Sequence, residues 1–185
     1  MKKKIIQISS NVLEKKIINL SSKYTTPYNA KIISKIIVRA EKMEILTHGL
    51  HYFLHSVLPH LEKGTTDHIV KKRDNYIYSE GKNGGGLGLI NIFDCLKKAS
   101  KIAKRKGVCI YSAKNPGKVG AFRTYCPEII KNNQLILMVK NTAPTQGLKK
   151  VKKALIGTNP LAIGIPGTNF IYDSSTSTVA TNAIR

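Results

Sequence analysis

The sequence predicts an α/β (α+β) fold, in which a helical N-terminal segment is followed by helices and a mixed sheet. Three observations support this prediction. Apolar residues recur at helical spacing from Val12 to Leu61, residues 65–75 are polar, and short apolar runs then alternate with one long amphipathic pattern. We therefore expect a helical segment over 1–72 and a strand-and-helix domain over 73–185. The composition, with 42% hydrophobic and 22% charged residues, is typical of a globular chain.

Three helices are predicted in the first segment. The first starts at Asn11, whose side chain can cap the amphipathic run that follows it. The second starts at Thr26 and Pro27, because a threonine cap followed by proline is typical of a first helical turn. Its apolar stripe consists of Ile32, Ile33, Ile36 and Ile37. The third covers 49–61 and ends at Gly64.

The second segment is expected to alternate strands and helices. A long amphipathic run predicts a helix over 89–107, and a shorter helix is expected over 121–131. Runs rich in β-branched and aromatic residues predict strands over 75–81, 108–113, 134–141, 161–166 and 169–175. The runs at 108–113 and 134–141 are continuously apolar, so we expect these strands to be buried.

The strongest compositional feature is a formal net charge of +21, which favours anionic partners. The excess comes from 26 lysines but only five arginines, and it is spread along the chain. Arginine is the side chain suited to bidentate contacts with phosphates and bases. A dedicated nucleic-acid role is therefore disfavoured, although a basic module that binds anions or nucleic acid remains the alternative function.

The cysteines and the apolar runs bear on location. Cys95, Cys109 and Cys126 are single and widely spaced, which favours reduced thiols over a disulfide framework. The N-terminal apolar run is too short for a signal peptide, and no run reaches the roughly 20 apolar residues of a membrane span. The expectation is a cytoplasmic protein with no membrane partner.

A glycine-rich loop at 82–88 lies between a predicted strand and the long helix, which is the layout of a phosphate-binding turn. Gly84 and Gly86 match two positions of a Rossmann fingerprint, but Leu89 occupies the third. The acidic residue that would bind ribose is also absent from its expected place. A flexible turn is the favoured interpretation.

Three histidines, His48, His51 and His55, are spaced so that one helix face would carry them all. Metal binding is one interpretation, but no acidic residue lies between them. His48 precedes Gly49 and would start a helix, where the helix dipole lowers an imidazole pKa and keeps the ring neutral. It is therefore a candidate substrate contact. The sequence contains neither a nucleophile–histidine–acid arrangement nor paired carboxylates.

The run "LIGTNPLAIGIP", at 155–166, followed by "FIYDSSTSTVAT", closely resembles a signature of the malate/L-lactate dehydrogenase family that lacks a Rossmann fold. The resemblance continues upstream in the family's order. The runs are "AEKMEILTHG", "GKNGGGLG", "KRKGVCIYSAKNPGKVGAF" and "LMVKNTAP". It implies an incomplete non-Rossmann nucleotide-binding domain, because family members are considerably longer and this chain resembles a truncated member.

The resemblance also implies a function: hydride transfer between NAD or NADP and a 2-hydroxy or 2-oxo acid, with homodimers as the assembly. His48 would contact the substrate. The positions implied to hold the dinucleotide are Asn141, Thr142, Thr158, Asn159, Asp173, Ser174 and Ser175.

The chain departs from the family at two catalytic positions. The proton-transferring histidine of the family falls on Asn115, and its substrate-binding arginine falls on Tyr52. Asparagine does not exchange a proton near neutral pH, and a phenol lacks the arginine charge. His51 and Lys114 are the candidates to compensate for these changes. An inactive, non-enzymatic remnant of the family is the alternative.

Overall fold

The computed structural model describes residues 7–64, 68–82, 86–147 and 153–177. Its first helix, α1 (Ser10–Ser21), starts two residues before the expected position. Ser9 is the cap instead of Asn11, because Ser9 is extended and its hydroxyl accepts a hydrogen bond from the Val12 amide at 3.3 Å. The helix therefore gains half a turn over the prediction.

Helix α2 (Pro27–Lys42) confirms the second prediction. Thr26 is the cap, its hydroxyl accepts from the Asn29 amide at 3.2 Å, and Pro27 opens the helix. All four predicted stripe residues, Ile32, Ile33, Ile36 and Ile37, are buried. This stripe packs against the long helix α5 (Gly88–Lys106), which ends at Gly107 with a φ of 84°.

The third predicted helix is interrupted by a wider turn. A 3₁₀ turn, Leu46–His48, precedes α3 (Leu50–Tyr52), a π-helical turn (Phe53–Val57) and α4 (Leu58–Glu62). Pro59 explains the widening, because proline has no N–H to donate to the preceding turn and its ring crowds that turn. The chain then turns at Gly64, whose φ is 70°.

A buried carboxylate joins two helices of the core. Glu128, in α6 (Cys126–Ile130), is 6% exposed and lies 2.6 Å from the Arg39 guanidinium, 2.7 Å from Lys35 Nζ and 2.8 Å from Lys131 Nζ. Burial alone would raise the pKa of Glu128, but these hydrogen bonds lower it to about 2. The carboxylate therefore stays charged and holds α6 against α2.

Within the described residues, six strands form two three-stranded sheets. The first has the order β1-β2-β3, with β1 and β2 antiparallel and β2 and β3 parallel, and the second is an antiparallel β4-β5-β6 sheet. The strands are β1 (His68–Arg73), β2 (Tyr76–Gly81), β3 (Ile110–Lys114), β4 (Ile136–Val139), β5 (Leu161–Gly164) and β6 (Ile171–Ser174).

Strand β1 lies in the polar segment at 65–75, where no strand was predicted. A two-residue turn at Asp74, with a φ of 47°, and Asn75 folds β1 back onto β2. All of β1 after His68 is exposed, which explains its polar sequence. The strand crosses the boundary predicted at residue 72, and the division into two domains stays a prediction.

Two strands that were expected to be buried are largely exposed. Ile110 in β3 and Leu137 in β4 are 59% and 61% exposed. Strand β4 packs one face inward and leaves the other open, whereas no residue of β3 is fully buried. The helices and the second sheet share the main core, while Ile77 of β2 packs with Cys95, Ala99 and Ile102 of α5 in a smaller cluster. Among the described residues, no helix is long and apolar enough to cross a membrane.

Candidate active site

A cavity of about 520 Å³ lies where the 3₁₀ turn before α3 meets the loop at 117–123 and the ends of the second sheet. Seven of the residues implied by the family resemblance line it together. They are His48, Tyr52, Thr142, Thr158, Asp173, Ser174 and Ser175. The first and last of these residues, His48 and Ser175, are more than 120 positions apart in the sequence, so the fold brings the set together.

His48 contributes a neutral imidazole to this cavity. Burial, followed by the charge of Lys140, lowers the pKa of His48 below its ordinary value of 6.5. Its Nδ1 lies 3.0 Å from the hydroxyl of Thr47. The pKa of His48 is therefore lowered as predicted, but the causes are burial and the charge of Lys140 instead of a helix dipole. His48 ends the 3₁₀ turn instead of starting the helix, which begins at Leu50.

Tyr52 stands where the family carries an arginine, and it is 6% exposed. Its hydroxyl accepts a hydrogen bond from the Gly120 amide at 3.2 Å, and its ring centroid lies 5.4 Å from that of His48. Burial raises the pKa of the phenol well above its ordinary value of 10.0. Tyr52 is thus a neutral group that anchors the loop at 117–123.

The Gly-Thr-Asn-Pro turn is bonded to the segment after β4. Thr158 donates its amide to the Thr142 hydroxyl at 2.7 Å, and the Asn159 side chain accepts from the Thr142 amide at 3.0 Å. A Cβ on Gly157 would collide with the Thr142 carbonyl oxygen, so this position requires glycine. The turn therefore sets the position of the Thr142 and Thr158 hydroxyls at the cavity wall.

Asp173, in β6, is the cavity's carboxylate. It accepts a hydrogen bond from the Arg123 amide at 2.8 Å, while burial raises its pKa above the ordinary value of 3.8. Arg123 also lines the cavity, and its side-chain Nε is buried without a hydrogen-bond partner among the described residues. A guanidinium on the wall gives the cavity a positive charge that suits an anion.

Asn115 and Asn141 lie outside this cavity. They line a neighbouring cavity of about 640 Å³ between β3 and β4, which shares Val119, Phe122 and Lys140 with the first. Asn115 is exposed and has a φ of 46°. The position of the family's proton-transferring histidine therefore does not line the wall that carries His48.

Neither side chain expected to compensate for these changes lines the cavity beside His48. His51 is exposed and its ring centroid lies 4.5 Å from that of His55, while Lys114 pairs with Glu80 at 2.9 Å. Neither residue is therefore placed to act in this cavity, and the hypothesis that His51 or Lys114 compensates stays a prediction.

Three cationic residues of the cavity were missed by the sequence analysis: Lys118, Arg123 and Lys140. Lys118 lies inside the "KNPGKVG" loop, and Lys140 directly precedes Asn141. Their positions next to the family motifs were the available signal. In a chain with 26 lysines, however, a lysine by itself is not informative.

The metal interpretation of the histidines gains no support from the geometry. His48 lies in the 3₁₀ turn, whereas His51 and His55 lie on the helical segment after it. No group of three or more histidine, cysteine, aspartate or glutamate residues within the described ranges could hold a metal ion. Gly84 of the glycine-rich loop lies outside the described residues.

Comparisons with known proteins give a consistent result. Residues 8–185 match the family model described as malate/L-lactate dehydrogenase. The chain is 25% identical to a malate dehydrogenase of Pyrococcus abyssi, over 94% of this chain and 49% of that protein. It is 28% identical to a malate/(S)-sulfolactate dehydrogenase of Methanothermus fervidus, over 82% of this chain and 46% of that protein.

Solved structures match over nearly the whole chain. A malate dehydrogenase from Entamoeba histolytica superposes with a TM-score of 0.87 at 21% identity, over 97% of this chain and 52% of that chain. A dehydrogenase from Sinorhizobium meliloti superposes with a TM-score of 0.83 at 26% identity, over 97% and 54%. The predicted α/β (α+β) fold class is confirmed. The chain spans about half the length of the relatives that it matches.

Proposed function

The chain belongs to the malate/L-lactate dehydrogenase family, and from that premise we propose that its cavity binds a 2-hydroxy or 2-oxo acid beside a nicotinamide dinucleotide. The observation that carries this proposal is the assembly of seven motif residues around one cavity. Because the chain covers about half of its relatives, the complete reaction is part of the proposal. The cofactor would be NAD or NADP, and it would supply hydride transfer to or from the acid.

The residues present fit a dinucleotide. The Asp173 carboxylate accepts one hydrogen bond from the Arg123 amide at 2.8 Å, and a carboxylate has capacity for further donors such as ribose hydroxyls. Arg123 lines the same cavity, and we propose that its guanidinium pairs with a phosphate of the dinucleotide. We propose that Thr142, Thr158, Ser174 and Ser175 add hydroxyl contacts. The roles implied for Asn141 and Asn159 stay predictions.

His48 is the residue that we expect to handle the substrate's hydroxyl or oxo group. Its lowered pKa keeps the imidazole neutral at physiological pH, so it can accept a proton or a hydrogen bond from a hydroxyl. Asn115 cannot exchange a proton, and Tyr52 holds its phenolic proton because burial raises its pKa. Loss of a general acid or base typically slows a reaction about 10²- to 10⁴-fold, so we expect slow turnover.

The test is a fluorescence titration of the full chain with NADH and with NADPH. We expect binding that weakens about tenfold or more in Asp173→Asn, because the charged acceptor is lost. Asp74→Asn is the matched control, since Asp74 is an exposed carboxylate paired with Lys106 away from the cavity. No binding of either nucleotide at millimolar concentration contradicts the cofactor part of the proposal.

Two further expectations belong to this proposal. The three cysteines are free, which fits the reducing cytoplasm as the compartment. The assembly is expected to be a homodimer, which sedimentation of the purified chain measures directly.

A further inference from the structure

Two lysines, Lys118 and Lys140, bring positive charge to the cavity beside His48 from different parts of the chain. The Lys118 carbonyl accepts from the Leu89 amide at 2.9 Å, which fixes this loop residue against the start of α5. Lys140 donates its amide to the Pro160 carbonyl at 3.2 Å, at the end of β4. Both backbones are thus anchored, and both lysines line the same cavity.

Neither ammonium group forms an ion pair with a carboxylate among the described residues. The cavity contains three cationic side chains, those of Lys118, Arg123 and Lys140, and its carboxylate, Asp173, already accepts from the Arg123 amide. Partly buried charges of one sign repel each other and lose hydration, so a cavity of this kind is stabilised by an anion. The excess positive charge is suited to an anion with more than one negative charge.

Tyr52 is neutral, so it lacks the charge with which an arginine would pair with a carboxylate, and its hydroxyl accepts a hydrogen bond from the Gly120 amide at 3.2 Å. We propose that Lys118 and Lys140 together bind the carboxylates of the substrate and make this site select dianionic over monoanionic acids. The role in substrate binding rests on the proposed function, but the anion site itself does not.

The pKa of Lys140 supports this assignment. Burial, followed by the charge of Lys118, lowers it below the ordinary value of 10.5. Lys140 also contributes to the lowered pKa of His48. The charge of Lys140 therefore interacts with both Lys118 and His48, as expected if a bound anion contacts Lys140 together with its neighbours.

Isothermal titration of the full chain with oxalate, without cofactor, tests the proposal, and glyoxylate serves as the monoanionic comparison. We expect oxalate to bind more tightly than glyoxylate. Lys118→Met and Lys140→Met should each weaken oxalate binding about 10- to 100-fold, the effect of one charge-assisted hydrogen bond. Lys118→Arg and Lys140→Arg should retain most of the affinity, because each keeps the charge.

Lys114→Met is the matched control, because Lys114 pairs with Glu80 outside the cavity and should leave oxalate binding unchanged. The proposal is overturned if wild type does not prefer oxalate, or if Lys114→Met weakens binding as much as the cavity variants. It is equally overturned if both methionine variants, shown to be folded by circular dichroism, bind as wild type does.

Should one methionine variant fail to fold, the other methionine variant and the two arginine variants decide the outcome. A separate NADH titration distinguishes the two hypotheses. Loss of NADH binding with oxalate selectivity intact contradicts the proposed function and leaves the anion site standing.

Discussion

Helix α2 and strand β4 are both rich in apolar residues, yet the fold buries them to different extents. Ile33 and Ile37 in α2 are fully buried, whereas Leu137 and Val139 in β4 are 61% and 70% exposed. In α2 the apolar residues lie on one face, which packs on α5, while β4 alternates between an inner and an open face. An apolar residue of α2 therefore contributes buried surface to the core, whereas the outward-facing apolar residues of β4 contribute little.

The largest expected effect comes from truncating matched apolar side chains in the two regions. Ile33→Ala removes a fully buried side chain and should lower the free energy of unfolding by about 4 kcal/mol. Leu137→Ala removes an exposed one and should change it by less than about 0.5 kcal/mol. Thermal denaturation followed by circular dichroism measures both. Equal losses would break the distinction between the helical core and the sheet.

The buried ion cluster is the second point at which the helical side can be tested. Glu128→Ala removes the carboxylate shared by Lys35, Arg39 and Lys131, and should lower the free energy of unfolding by about 3 kcal/mol. The exposed pair of Asp74 with Lys106 is the control, because removing an exposed pair costs less than about 1 kcal/mol.

Glu128 also predicts how acid affects stability. Its pKa in the folded chain is about 2, below the ordinary value of 4.5, so its contribution is present above pH 4.5. The contribution is lost as pH falls from 4.5 through 2. Acid unfolding curves should show a steeper loss of stability in this range for wild type than for Glu128→Ala. Parallel curves would contradict the assignment.

An intermediate effect is expected at the end of the second sheet. Gly157→Ala should cost about 2 kcal/mol, because its Cβ would meet the Thr142 backbone and displace the turn. We also expect weaker NADH binding, since the hydrogen bond from the Thr158 amide to the Thr142 hydroxyl would be disturbed. Gly167→Ala has open space around its added methyl group and should leave NADH binding unchanged. Equal NADH affinities in both variants would show that the turn at Gly157 does not affect cofactor binding.

The smallest effect is expected at Lys140, the residue that follows β4. Because its pKa is lowered, oxalate affinity should fall as pH rises through that pKa, at a lower pH than an ordinary lysine would require. His48, Lys118, Arg123 and Asp173 face the same cavity, so titration in Lys140→Arg is the control that isolates Lys140. A guanidinium stays charged over this range, so the oxalate affinity of Lys140→Arg should change less with pH than that of wild type. Identical pH profiles would exclude Lys140 from the transition.

Particular residues show which features could be predicted from sequence. The Thr26–Pro27 start of α2 uses strictly local chemistry, and it was predicted correctly. Strand β1 was missed because it pairs with β2 through a turn at Asp74 and is exposed after His68. An exposed strand lacks the apolar pattern by which the other strands were predicted. The exposure of β4 could not be predicted either, because an apolar run does not indicate which of the two strand faces packs against the rest of the protein.

The candidate site divides in the same way. Thr142 and Thr158 could be placed together because the family motifs name them, and the structure joins them by hydrogen bonds. Lys118 and Lys140 could not be selected among 26 lysines, since only the folded chain shows which charges share a cavity. Asn115 shows the reverse case, in which a motif position lies at a different cavity.

The unequal edges of the two sheets have a consequence for the behaviour of concentrated solutions. Edge strand β1 carries Lys71, Lys72 and Arg73, and these charges oppose strand pairing between molecules. Strand β4 (Ile136–Val139) is also an edge strand, since among the described strands it pairs only with β5, but it is uncharged. At low ionic strength, repulsion between chains of net charge +21 should keep the solution monodisperse. Added salt screens that repulsion over about 10 Å at 0.1 M, so scattering should rise with salt and a lysine at Leu137 should suppress the rise.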